Sequence, residues 1–488
     1  MAGYTAASRF VDELKSTLGP DKVRTDPQAV KSHACDLWPR GFLETPTGLP
    51  DVVVEPSSES DVLAVLELAA ESGIAVVPYG GGSGVCGAVV DGPGHISLDS
   101  RRLDWLEIDE GSMTVTVGAG VLGGALERQL ASARPPLTAG HFPASLAIST
   151  VGGWIGTASS GQESTRYGSI ADIVIELWVA SSDGTIHHVQ GEEIAAFIGS
   201  EGTLGVVTQA KLRLHRKPSV WRFESWSWEG LAPAIGAMES LMRAGLTPNI
   251  VRLYDSVDAL LSLKFSSHNG GFGSIEARLL RRGRALGRAL HLAGRTGLLQ
   301  PVIVMATGGI SAEAVDCELE QIREVMARAG GRAMGEELSR RWYGHRYRFD
   351  ASYLRKVFEA GAFVNTLDFW APWESLERLY ERTIGAISPY ALARAHISHL
   401  TRDGACLYVT YLGAHPDRRL ARGLYDAARD AALEAALECG ASIAHQHGIG
   451  LEKLRYFEES DRKRHARLRE LKALYDPHRI MNPAKLGL

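Results

Sequence analysis

Gly80, Gly81, Gly82, Gly84 and Gly87 fall within one short stretch, Pro78 to Ala88. Glycine at that density lets a backbone press against a bulky group and turn its N–H donors toward it. The chemistry this suits is the cradling of phosphates. Gly82, Gly84 and Gly87 also spell GxGxxG, with Asp99 standing where a ribose-binding acid would follow. That fingerprint must open a helix so that the pyrophosphate meets a helix N-terminus. Here the chain runs through Val89 and Val90 into an Asp91–Gly94 turn and then His95–Leu98, which reads as turn and strand. The Rossmann reading is set aside, and the phosphate cradle is kept.

Two further tracts have the same character. His141–Gly161 is rich in glycine and hydroxyls, including Pro143, Ser145, Thr150, Gly152, Gly153 and Thr157, and Phe197–Thr208 carries Glu201, Gly202, Val206 and Val207. Small residues in such runs permit close contact between backbone and a flat ligand, and they serve equally as a packing seam between helix and sheet. Late in the chain, His445-Gln446-His447 precedes Gly448-x-Gly450. Histidine suits proton transfer because it titrates near neutral pH, although such a pair can also cap a strand end.

The elements around these tracts alternate. An amphipathic helix is expected over about 5–35, a strand at Leu49–Pro56, and a helix from the Ser57–Asp61 cap to about Ser72, with Val62, Val65, Leu66 and Ala69 at helical spacing. Ile74–Val77 delivers the first glycine tract, and strands follow at Ile96–Leu98, Met113–Val117, Ile173–Ala180 and Ala210–Leu214. The style changes near Pro218. Beyond it, strands (Asn249–Leu253, Gln300–Met305, Ala362–Trp370, Cys406–Tyr411) alternate with helices near 230–244, 312–329, 373–387 and 417–439. The expected fold is α+β: residues 1–218 form one domain, 219–440 a second with its own antiparallel sheet, and 441–488 a tail completing the first.

A chain of 488 residues with 45% apolar and 22% charged residues reads as a multidomain soluble enzyme. Its net charge of −5 offers no electrostatic case for nucleic acid, and the basic cluster Arg462–Arg469 reads as a solvated helix face. Five scattered cysteines lack CxxC spacing, so no disulfide framework and no metal site is expected. No stretch approaches a membrane span, the N-terminus lacks a signal pattern, and a cytoplasmic location is expected.

The order of the three tracts, the His-x-His-Gly-x-Gly segment and the ending Asp476-Pro-x-x-Ile-Met-Asn-Pro-x-Lys485 resemble the vanillyl-alcohol-oxidase (PCMH-type) flavoproteins over nearly the whole chain. The resemblance implies a two-part FAD-binding domain, a substrate-binding cap and a tail returning to the FAD domain. It puts Pro78, Gly80, Gly81, Gly82, Ser83 and Gly84 at the pyrophosphate, and Pro143, Ser145, Thr150, Gly152, Gly153 and Thr157 along the isoalloxazine and ribityl. Glu201, Gly202, Val206 and Val207 would line the adenine half and inner wall, and Asn482 would complete the site. Gly82 stands where some relatives carry a tethering histidine, so a non-covalent flavin is implied.

Within the family, Gly140–Ser145 and Ser149–Trp154 resemble the alkyldihydroxyacetonephosphate synthase branch, and the Gly-flanked His447 also matches the D-lactate and glycolate dehydrogenase branch. The resemblance puts Arg252, Arg355, Tyr408 and His141 at functional positions; His447 is the expected base, with Tyr408, His445 and Arg355 in the catalytic set, and Arg252, Arg355, His141 and Gln446 form the expected substrate-binding set. It departs from the synthase at Gln446, which replaces the middle of three histidines and cannot take up a proton. The expected activity is FAD-dependent oxidation of the carbinol of a small anionic substrate, a 2-hydroxy acid or a phosphorylated or phosphonylated alcohol. The alternatives are synthase-type chemistry without net redox and a binding protein that does not turn over. The electron acceptor is not specified, and a homodimer is among the expected states.

Overall fold

The computed structural model describes residues 2–43, 48–90, 92–264, 280, 282–347 and 351–488. They form two compact units, the first made of residues 1–159, 169–215 and 446–488, the second of 160–168 and 216–445.

The first unit begins with helix Ala2–Leu18, which ends where the single helix expected over 5–35 could not continue. Gly19 adopts φ +96° and Pro20 offers no backbone donor. The chain then forms a short strand, Val23–Arg24, and restarts as helix Pro27–Ser32, whose Asp26 cap accepts from the Ala29 N–H at 3.0 Å. Strand Val52–Val54 follows, then helix Glu59–Ser72, capped by Ser58 and stopped by Gly73 in the left-handed region. Its Val62, Val65, Leu66 and Ala69 are buried in a core with Val52, Val76, Ile96 and Leu98. Burying each large apolar side chain is worth about 1.5–3 kcal/mol, so this face fixes the helix against the sheet.

The sheet order is Val23–Arg24, Val52–Val54, His95–Asp99, Ala75–Tyr79; its last three strands run parallel. Strand Ala75–Tyr79 opens directly into the first glycine tract. A five-stranded antiparallel sheet follows in the order Leu106–Asp109, Thr114–Gly118, Val206–Arg213, Val174–Ala180, Ile186–Gln190. The tail rejoins the unit through a parallel bridge between Val76 and Met481.

The second unit is built on a seven-stranded antiparallel sheet, in the order Arg332–Gly335, Val220–Ser227, Val302–Gly309, Ile250–Tyr254, Leu392–Ser398, Gly404–Ala414, Ala362–Pro372. Side chains alternate faces along each strand. Phe363 and Tyr411 contact Tyr425 of helix Arg418–Glu438, which packs on this sheet together with helix Trp373–Ile387. The opposite face carries Arg252, Tyr254, Arg394, His396, Tyr408 and Asp368. Cross-strand register sets Tyr254 opposite His396, His396 opposite Tyr408, and Tyr408 opposite Asp368.

Candidate functional site: a glycine cradle and a polar sheet face

In the first tract the glycines are required by their neighbours. A Cβ on Gly81 would run into the Ile148 carbonyl, one on Gly80 into the Thr150 hydroxyl, and one on Gly84 would stand 2.7 Å from Asp36 Oδ2. Gly82 adopts φ +61° with the Tyr79 hydroxyl on its Cβ side. No side chain can stand at these four positions, which present bare backbone. Asp36 is the strut beneath it. Its carboxylate accepts from the Gly87 N–H at 3.1 Å, and burial pushes its pKa up to about 7.

The second tract touches the first through Ile148 and Thr150. Thr150 caps the short helix Val151–Gly156 by accepting from the Gly153 N–H at 3.2 Å, and a Cβ on Gly152 would stand 2.9 Å from the Ala119 methyl. Thr157 donates to the Gly153 carbonyl at 3.0 Å; the Pro143 and Ser145 carbonyls accept from the Leu146 and Ile148 N–H groups. The third tract closes on the first at Gly202, where a Cβ would stand 2.7 Å from the Pro78 ring. Glu201 is buried at φ +52° and accepts from the Ile449 and Gly450 N–H groups at 2.5 and 2.9 Å. That bond fixes the turn following His447, since a Cβ on Gly448 would meet the Glu201 carboxylate at 2.5 Å. Val206 is buried in the core of the unit, while Val207 beside it is half-buried.

Asn482 ties the ends together. Its side-chain amide donates to the Ala88 carbonyl at 3.0 Å and the Glu201 carbonyl at 2.6 Å. Its Oδ1 is buried with no hydrogen-bond partner among the described residues. An unsatisfied buried acceptor at the meeting of the first and third tracts is what a ligand-binding site leaves behind in the protein alone.

His141 lies wholly buried in the same unit, its Nε2 3.1 Å from the Ser159 hydroxyl and its ring 4.6 Å from Trp154. Burial lowers its pKa to about 3, so the ring is neutral at pH 7. The unfolded chain takes up this proton near pH 6.5 and the folded chain does not, so stability falls as pH drops from about 6.5 toward 3. At pH 5 this one group costs about 2 kcal/mol. Denaturant midpoints at pH 7 and pH 5 are expected to differ more for wild type than for His141→Gln; equal differences would remove the assignment.

In the second unit, Arg252 stands over the rings of Trp342 and Tyr254, with its guanidinium carbon 5.2 and 5.9 Å from their centroids. His396 stacks on Tyr408 at 4.6 Å and 16°. Its Nδ1 lies 3.3 Å from Asp258 Oδ2, and the other Asp258 oxygen accepts from Arg394 at 2.5 Å. Burial alone would raise the Asp258 carboxyl, but Arg394 and His396 outweigh it and hold it well below the usual carboxylate range. Burial lowers the His396 pKa to about 4, with Arg252 pushing the same way. Tyr408 is raised to about 12 by burial, against a hydrogen bond with Thr366. His445 donates its backbone N–H to Asp368 at 2.8 Å, and its ring lies 5.4 Å from that of His399.

The structure therefore gathers Arg252 and Tyr408 on one sheet face, with His445 hydrogen-bonded to Asp368 beside Tyr408. In the other unit it gathers the glycine tracts, Glu201, Gly202, Asn482 and the turn that follows His447. Arg355 lies on helix Ala351–Glu359, and its side chain falls outside the described residues. Gln446 and His447 are half-buried in the same connecting segment. Asp258, Arg394 and His396 are absent from the sequence-derived set. One signal was available: Arg394, His396 and Ser398 are polar residues at every second position of an otherwise apolar strand. The basic helix Arg462–Tyr475 also differs from a purely solvated face, because Arg464 turns in to donate to the Ile198 and Gly199 carbonyls at 3.1 Å. Among the described residues no group of three or more His, Cys, Asp or Glu is placed to hold a metal ion, and no helix is long and apolar enough to cross a membrane.

Comparison with known proteins places these parts. Residues 50–190 match the FAD binding domain, and residues 217–486 match the C-terminal domain of FAD linked oxidases. The chain is 29% identical to alkyldihydroxyacetonephosphate synthase of Trypanosoma brucei brucei, over 98% of this chain and 80% of the relative. It is 25% identical to the glycolate oxidase subunit GlcD of Bacillus subtilis, over 90% of this chain and 89% of the relative. The solved structure of p-cresol methylhydroxylase with substrate bound matches with a TM-score of 0.77 at 16% identity, covering 99% of this chain and 96% of the other, and shows the shared PCMH-type fold. The glycine backbone at Gly80, Gly81, Gly82 and Gly84 and the unpaired Asn482 oxygen fit such a cofactor. The chain belongs to the FAD-linked oxidase family, and FAD is its cofactor.

Proposed function

We propose that this protein oxidises the carbinol of a small anionic substrate, a 2-hydroxy acid or a phosphorylated or phosphonylated alcohol. The observation that carries the reading is the row on the polar sheet face of the second unit, where Arg252 lies beside Tyr254, His396 and Tyr408. A guanidinium recognises a carboxylate or phosphate through paired hydrogen bonds, and Arg252 is the proposed anion-binding group with Arg355 as its partner. Bound FAD supplies a two-electron acceptor for the hydride that leaves the substrate carbon. His447 is the proposed acceptor of the hydroxyl proton, supported by Tyr408 and His445, with His141 and Gln446 as further contacts. Gly80, Gly81, Gly82, Ser83 and Gly84 hold the pyrophosphate, Thr150, Gly152, Gly153 and Thr157 the flavin and ribityl. With glycine at position 82, the flavin is held without a covalent bond.

A second reading is supported by the similarity to the synthase, which spans 98% of this chain. In it, the protein exchanges groups on a phosphorylated ketone without net redox. Gln446 favours the first reading, because an amide cannot carry the proton that a histidine would.

Anaerobic mixing of purified protein with glycolate, D-lactate and glycerol phosphate, followed by flavin absorbance, tests this. Bleaching by one of these, with all flavin released to the supernatant on acid precipitation, is the expected result. Alkoxy-for-acyl exchange without bleaching would move the assignment to the synthase.

A further inference from the structure

His396 is more than a packed histidine. It lies on strand Leu392–Ser398 with 8% of its surface exposed, between Tyr254 and Tyr408 on neighbouring strands. The carboxylate of Asp258 can only accept, so the Nδ1 facing it carries the proton. Arg394 holds that carboxylate from its other side, and Ser262 donates to the same oxygen at 2.6 Å. The tautomer leaves Nε2 as a bare lone pair, and this atom is buried without a hydrogen-bond partner among the described residues.

A buried acceptor without a donor costs on the order of 1–3 kcal/mol, so a ligand that brings a donor to it recovers that cost. Three features specify that ligand. The stacked Tyr408 ring, 16° from coplanar, fixes the imidazole plane and so the direction of the lone pair. The Arg252 guanidinium, over the Tyr254 and Trp342 rings, provides fixed positive charge on the same sheet face and disfavours a proton on His396. The Asp258 carboxylate orients the ring as second-tier carboxylates orient working histidines elsewhere. A molecule suited to this face has an anionic end and, beside it, a hydrogen-bond donor.

We propose that Nε2 of His396, held in its tautomer by Asp258, accepts a hydrogen bond from the substrate hydroxyl and so selects hydroxylated anions over their deoxy counterparts. This assignment rests on the oxidation reading given above. The hydroxyl carries a single hydrogen, so it donates to the neutral His396 while the substrate is bound at rest and turns to His447 when the proton leaves.

The test uses full-length FAD-loaded protein and paired ligands, glycolate with acetate and D-lactate with propionate, titrated by calorimetry. Wild type is expected to bind the hydroxylated member of a pair more tightly. His396→Phe, which keeps the ring stack and removes the lone pair, is expected to lose about tenfold in affinity for that member and none for the deoxy member. His396→Leu replaces it should the Phe variant fail to retain FAD, and His396→Gln, whose amide oxygen still accepts, is expected to recover part of the preference. Equal loss for both members, an unchanged preference, or a wild type with no preference overturns the proposal. Wild type that prefers the hydroxylated member yet is not bleached by it sinks the oxidation reading while leaving the His396 contact standing. Variants that bleach with the wild-type preference intact sink the contact alone.

Discussion

Gly81→Ala protein is expected to purify with little or none of its yellow flavin absorbance. The added methyl has nowhere to go, because its ideal position overlaps the Ile148 carbonyl oxygen and lies 2.8 Å from the carbonyl carbon and 3.2 Å from the Ser149 Cα. Both obstacles are backbone, so neither can swing aside as a long side chain would. Relief requires moving the first tract away from the second. Overpacking of this kind costs about 1–3 kcal/mol. If the strain is relieved by displacing the cradle, the dissociation constant for FAD rises roughly 5- to 150-fold. Gly92→Ala supplies the comparison, since nothing lies within 4 Å of its Cβ and its φ is not in the left-handed region. The measurement is FAD released per mole of denatured protein for the two variants. Equal occupancy would show that the close approach of these two tracts is not what holds the cofactor.

Lys472→Met is expected to lower the stability of the first unit by about 3–5 kcal/mol, the range found when one partner of a buried ion pair is removed. The ammonium pairs with Asp476 at 2.7 Å and donates to the Thr203 and Met481 carbonyls at 2.8 and 2.5 Å. Asp476 in turn accepts from the Ile480 and Met481 N–H groups, at 3.1 and 3.0 Å. Methionine leaves a buried carboxylate short of its counter-charge and two carbonyls short of a donor. The expected readouts are a lower denaturant midpoint and faster amide exchange confined to residues 200–206 and 476–482. An Asp476→Asn, Lys472→Met double variant should recover part of the loss, and a single variant as stable as wild type would show that the pair contributes nothing.

The glycine tracts were legible in the sequence because the demand that creates them is local: backbone has to lie flush against something, and glycine is the residue that allows it. The helix Glu59–Ser72 was legible for a similar reason, with its cap, apolar stripe and glycine stop all within one stretch. The Asp258–His396 pair was not, since 138 residues separate partners that only strand register brings together. The same holds for Trp38, whose indole donates to Glu452 at 2.6 Å across 414 residues. The tail motif was visible as a pattern without its mechanics. Asp476, Ile480, Met481 and Asn482 turn out to be a latch, in which a buried lysine from the preceding helix reads the carbonyls of both the tail and the third tract. The helix expected over 5–35 failed at Gly19-Pro20, where apolar periodicity continued but the backbone could not.

The division of the first unit into pieces separated along the chain also sets an order of events during synthesis. Residues 446–488, which supply the Glu201 turn, the lysine latch and Asn482, leave the ribosome only after the whole of the second unit has been made. The cradle strands can pair early, but Glu201 then lacks the amides it accepts from, and Val76 lacks its bridge to Met481. FAD capture is thereby deferred to the finished chain: nascent chains stalled before residue 446 should carry no flavin, and acquisition of colour should mark the last step of maturation.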